Sequence, residues 1–158
     1  GLMQCLNATF NVTGPAGSRT IPAREFYESA YLTAREDDEI LTSVSFEAPI
    51  GGQAYEKQKR KIGDYATAAA AVILTRSGDR CTAASIAMTN LSDTPIWAEA
   101  AGEALVGTAC GEDAVIAAIT AMQIAIDPSE DNRGPVEFKR HAAGIILARA
   151  IARAWSRA

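Results

Sequence analysis

The hydrophobic period of the chain changes once, near Thr94, from about two residues to about 3.6, which dictates a sheet followed by helices. Before that point Gln53 to Lys61 alternates, with Tyr55, Lys57, Lys59 and Lys61 on one side and Ala54, Glu56, Gln58 and Arg60 on the other. Gly63-Asp64 turns the chain. Thr67 to Thr75 mixes alanine with Val72, Ile73 and Thr75, and its second half reads as strand. Ser77-Gly78-Asp79 supplies a hairpin loop, and Arg80 to Asn90 returns with apolar residues on both faces, so both are available for cover. After Thr94, Pro95 opens a helix through Trp97, Ala98, Ala101, Ala104 and Leu105 that Gly107 stops. Glu112 to Ile126 forms a second helix. A third runs from about Pro135 to Arg157 with Phe138, Ala142, Ile145, Ile146, Arg149, Ala150 and Ile151 facing inward.

Upstream, Ala8 to Ile21 predicts a hairpin around Gly14-Pro15-Ala16-Gly17, and Ala23 to Ser29 one or two helical turns. Ile40 to Phe46 alternates Thr42, Val44 and Phe46 with serines, as a half-buried strand does. Ala48-Pro49-Ile50-Gly51-Gly52 marks a boundary. The expected fold is therefore α+β, with small antiparallel sheets and a C-terminal three-stranded antiparallel sheet packed on a three-helix layer. Two units are expected, 1–47 and 48–158.

With 15 Lys and Arg against 19 Asp and Glu, the net charge is −4, and no broad positive surface is available for nucleic acid. Charge is nonetheless divided: residues 81–132 hold eight acids and no Lys or Arg, whereas residues 133–158 hold six basic residues and one acid, Glu137. The plain reading packs the basic last helix beside the acidic pair. Alanine supplies 32 of the 158 residues, so close helix approach through small side chains should do much of the holding. Cys5, Cys81 and Cys110 spell out neither a disulfide framework nor a closed zinc site, which fits a reducing, cytoplasmic compartment. No segment is long and apolar enough for a membrane span.

Catalytic candidates are few. The single histidine, His141, sits beside Lys139 and Arg140 on what reads as a solvated helix face, and no triad or metal-ligand set assembles around it. No phosphate-cradling glycine motif is present. Gly51 to Ala66 is the informative stretch, because its four cations beside a tight turn can present an ammonium and an aromatic ring to an anionic or planar ligand. The same basic run also suits a solvated strand edge that resists aggregation.

From Lys57 onward this stretch reads K-x-x-R-K-x-G-D-Y-A. It occurs with Arg19-Thr20-Ile21-Pro22-Ala23, Asp38 to Thr42, Ala87-Met88-Thr89-Asn90-Leu91, Asp131-Asn132-Arg133-Gly134 and Phe138-Lys139-Arg140. In that order the motifs resemble the C-terminal part of the medium, FAD-binding subunit of the molybdenum hydroxylases, the family of aerobic carbon monoxide dehydrogenases and xanthine dehydrogenase relatives.

The resemblance implies FAD in the complete subunit. It also implies a molybdenum cofactor-binding large subunit and a 2Fe-2S small subunit as partners, and electron flow from iron–sulfur clusters through FAD to an external acceptor. It places Lys57, Tyr65, Asp64 and Leu41 at the flavin, and makes residues 1–47 a remnant of the middle FAD-binding subdomain. The family's two glycine-rich pyrophosphate loops fall outside the matched part, so the chain reads as a fragment, inactive alone. The competing expectation is a cofactor-free module that docks to partner subunits or to itself.

Overall fold

The computed structural model describes all of Gly1–Ala158. Its larger unit is a four-stranded antiparallel sheet in the order β6-β7-β8-β9, formed by Gly52–Gln58, Ala68–Ser77, Arg80–Thr89 and Ile96–Trp97. Alternation decides its two faces. Ala68, Ala70, Val72 and Leu74 of β7 and Ile86 and Met88 of β8 join the main core with the helices. Ala71 and Ala87 point the other way, where Cys5 of the short helix α1 (Leu2–Cys5) covers them. Both faces are therefore dry in the middle, as the doubly apolar strand sequences require.

Helix α5 (Val136–Trp155) lies on β6 and β7, and α3 (Glu99–Glu103) lies on β8. Between them α4 (Glu112–Ala125) packs on both helices, with Ala118 and Met122 fully buried. The alanine content is used here: Ala142, Ala143, Ala150 and Ala154 of α5 share the main core with Ala54, Ala68 and Ala70 of the sheet. A β-carbon added at Gly52 would collide with the Ala154 carbonyl oxygen, so the strand and the helix end approach backbone to backbone.

The expected α+β architecture holds, with local differences. The alternating strand from Gln53 ends at Gln58, not Lys61, and residues 59–66 form a loop. The expected helix start at Pro95 is displaced because Ile96 and Trp97 pair with Met88 and Ala87 and add a short fourth strand. The inward stripe of α5 is rotated: Phe138 and Ile145 are 44% and 41% exposed, while Lys139, Ala143 and Leu147 are buried. Nor do the acidic and basic helices pair by charge. None of the six ion pairs joins α5 to α3 or α4. Instead Arg140 donates to the Gln123 and Ile126 carbonyls, 2.8 and 3.1 Å away, where the end of α4 carries partial negative charge.

The N-terminal unit is a three-stranded sheet in the order β2-β1-β5, from Gly17–Pro22, Thr9–Gly14 and Ile40–Ser45. Its core is Ala8, Phe10, Val12, Ile21, Ala23 and Phe26, closed by the single-turn helix α2 (Ala23–Phe26). The expected helix to Ser29 stops there, because Tyr27–Ser29 pairs as β3 with β4 (Leu32–Thr33). Strand β5 is exposed along its whole length and not half-buried, since α2 covers β1 and β2 but does not reach it.

Candidate functional site

The loop from Lys59 to Ala66 leaves β6 and re-enters the sheet at β7, and its two ends are fixed by ordinary ladder chemistry. The Thr67 amide donates to the Gln58 carbonyl at 2.8 Å, and Asn90 donates its side-chain amide to the Ala66 carbonyl at 2.8 Å. Asn90 adopts φ +62°, a conformation that asparagine tolerates better than most residues. Within the loop, Asp64 Oδ1 accepts the Tyr65 amide at 2.9 Å and Oδ2 accepts Arg60 Nε at 3.1 Å. Arg133 reaches in from the turn before α5, with Nη2 3.5 Å from Asp64 Oδ1 and its guanidinium 5.6 Å from the Tyr65 ring centroid. Burial opposes ionisation of Asp64, but the hydrogen bonds from Arg60 and Tyr65 and the charges of Arg60 and Arg133 outweigh it and hold the carboxyl below its ordinary value.

These residues open onto a cleft of about 590 Å³ lined by Tyr65, Tyr31, Thr89, Asn90, Thr94 and Arg133, among others. Tyr65 is 81% exposed and Tyr31 wholly so, which leaves two aromatic surfaces without a protein partner over most of their area. Arg133 also lines the cleft, and its Nε is buried without a hydrogen-bond acceptor. The cleft thus offers ring faces, an amide, hydroxyls, the Arg133 guanidinium and one carboxylate, Asp93. That set suits a planar ring bearing carbonyl and nitrogen acceptors, the character of an isoalloxazine.

Of the four residues expected at the flavin, Tyr65 lines this cleft, and Asp64 holds the Tyr65 amide without lining it. Lys57 is exposed and does not line it, but stands in one cross-strand row with Ala69 and Thr89, and Thr89 does line it. Leu41 lies on β5, 41% exposed, in the separate N-terminal sheet and away from the lining. Tyr31, Asn90 and Arg133 were not singled out by residue type. Asn90 and Arg133 stand inside recognisable motifs, whereas Tyr31 carries no signal in the sequence beyond its type.

Fold and cleft together define an α+β module with an aromatic and basic loop beside an open cleft. Comparison with known proteins makes the class specific. A family profile described as CO dehydrogenase flavoprotein C-terminal domain matches residues 53–154, and one described as FAD binding domain in molybdopterin dehydrogenase matches residues 2–49. The chain belongs to the CO dehydrogenase flavoprotein C-terminal domain family, as its motif order implies. It is 51% identical to the carbon monoxide dehydrogenase medium chain of Afipia carboxidovorans over 99% of its own length and 55% of that relative's. The medium chain of Hydrogenophaga pseudoflava is 38% identical over 96% of this chain and 54% of its own. A solved structure of reconstituted CO dehydrogenase from Oligotropha carboxidovorans superposes with a TM-score of 0.97 at 51% identity, covering 99% of this chain and 56% of that one. The chain therefore spans about half the length of the relatives it matches.

Proposed function

We propose that this chain supplies one wall of the FAD site in the flavin subunit of a molybdenum hydroxylase, with the pyrophosphate held by a segment outside these 158 residues. The observation that carries the reading is the cleft that Arg133 lines together with Tyr65 and Tyr31, its guanidinium 5.6 Å from the Tyr65 ring centroid. Tyr65 covers the ring system and limits access to it. Arg133 donates to a ring acceptor, and Lys57, two strands away in the row of Thr89, adds positive charge that favours electron density on the ring. Asp64 keeps the loop bent so that Tyr65 projects, and Leu41 is assigned to the same site by the resemblance alone. FAD, when bound, supplies the electron-carrying chemistry. The chain's own residues bind, orient and shield.

In this reading residues 1–47 belong to the middle FAD-binding subdomain and 48–158 to the C-terminal domain. The complete subunit passes electrons from a 2Fe-2S partner, itself served by a molybdenum-binding large subunit, to an external acceptor in the cytoplasm. The isolated chain is inactive. The test is a chimera in which this chain replaces the matching segment of a CO dehydrogenase medium chain. Lys57→Met and Tyr65→Ala should each lower FAD retention through desalting, and unchanged occupancy in both would remove the site assignment.

A further inference from the structure

Lys139 is 2% exposed, the most completely buried charged side chain in the molecule. Its ammonium lies 2.9 Å from Asp131 Oδ2 and donates to the Ser129 carbonyl at 2.8 Å. An ammonium in the core is tolerated only when it is paired and hydrogen-bonded, so this contact holds Asp131 in one rotamer. Held there, Asp131 Oδ1 accepts the Arg133 amide at 2.8 Å, and Oδ2 stands 3.8 Å from Arg133 Nη1. Arg133 continues to Asp64 and the Tyr65 ring, and Arg60 closes the far end by donating to Asp64 and to the Asn132 carbonyl at 3.2 Å. Charges alternate from the core to the loop: Lys139, Asp131, Arg133, Asp64, Arg60.

We propose that Lys139 is a positioning residue for Tyr65, acting through Asp131 and Arg133 to fix the 59–66 loop from inside the domain. An apolar side chain of similar length would satisfy packing on this face of α5, so packing alone does not account for a lysine. Without the ammonium, Asp131, whose side chain is 32% exposed, is free to turn to solvent and release Arg133. Its functional meaning rests on the reading of Tyr65 as a flavin wall, but the mechanical claim does not.

The experiment needs no flavin. Lys59, Arg60 and Lys61 are exposed in the loop, and Arg76 and Arg80 flank the distant β7–β8 hairpin, so limited trypsin digestion of the 158-residue chain reads both places at once. Lys139→Met should raise cleavage in the loop about tenfold while the hairpin sites keep their wild-type rate, the pattern of a local opening. Lys139→Arg should restore the wild-type rate. Asp131→Asn should match Lys139→Met, and the double variant should add nothing further. Loop cleavage at the wild-type rate in Lys139→Met, an equal rise at both places, or no rescue by arginine would overturn the proposal. If Lys139→Met does not fold, Asp131→Asn decides: a faster loop supports the relay, an unchanged loop refutes it. The flavin reading is tested separately by the Tyr65 and Lys57 variants of the chimera, so either can fail alone.

Discussion

Lys57 and Thr89 occupy one row of the central sheet, separated by Ala69, and therefore project from the same face about two strand spacings, or roughly 10 Å, apart. Thr89 lines the Tyr65 cleft, whereas Lys57, exposed at the far end of the row, does not. In the chimera, Lys57→Met should therefore lower FAD retention less than Tyr65→Ala does, and the loss should shrink in high salt as the charge is screened. A salt-independent loss would point to a packing defect.

Arg133 should matter to the cleft more than its partial exposure suggests. Replacing it with alanine removes the orphan Nε, the Asp64 contact and the cation over Tyr65. FAD titration of the chimera should show weaker binding by about tenfold or more, as for loss of one charge-assisted hydrogen bond worth about 1.5–3 kcal/mol. Arg133→Lys should recover only part of it, because an ammonium cannot keep the flat guanidinium geometry.

The alanine-lined seam should resist enlargement. Gly52→Ala drives a methyl against the Ala154 carbonyl, and Ala150→Leu fills a site with no room, since Ala150 is 0% exposed. Each should cost about 1–3 kcal/mol in denaturant unfolding, as overpacking does. Methionine at exposed Ile145 should change stability little.

Acid should loosen the N-terminal sheet. Arg19 donates from Nε and Nη2 to the two Glu39 oxygens at 2.7 and 2.8 Å, and those bonds, with the Glu36 amide, pull the Glu39 carboxyl from 4.5 down to about 2. The folded value is the lower one, so the contribution is fully present above pH 4.5 and is lost as pH falls through about 2. Chemical unfolding measured across that window should show a shallower acid loss in Glu39→Gln than in the wild type. Identical slopes would remove the pair from the account.

The thiols should be slow. Burial pushes Cys5 up to about 11, and burial followed by the neighbouring Cys81 does the same to Cys110. Alkylation of the folded chain at neutral pH should lag far behind that of the unfolded chain, because so little thiolate is present.

What the sequence disclosed and what it hid divide along physical lines. The hairpins at Gly14–Gly17 and Gly78–Asp79 and the helices α4 and α5 follow from turn chemistry and period, which are local. Lys139 was hidden because a lysine in a K-R-H run reads as solvated, and only the three-dimensional return of Asp131 and Ser129 makes its burial affordable. Strand β5 misled for the opposite reason: its alternation is genuine, but nothing in these residues covers it. Tyr65 was legible through its motif, whereas Tyr31 reaches the same cleft only because β3 and β4 turn it there with φ +64°.

The most direct test of the central claim is photolabelling of the chimera with an azido-substituted flavin, followed by peptide mapping. Label on the peptides that carry Tyr65 and Thr89 to Pro95 is the expected result. Label confined to peptides of α4 and α5, with the Tyr65 peptide unmodified, would contradict the account.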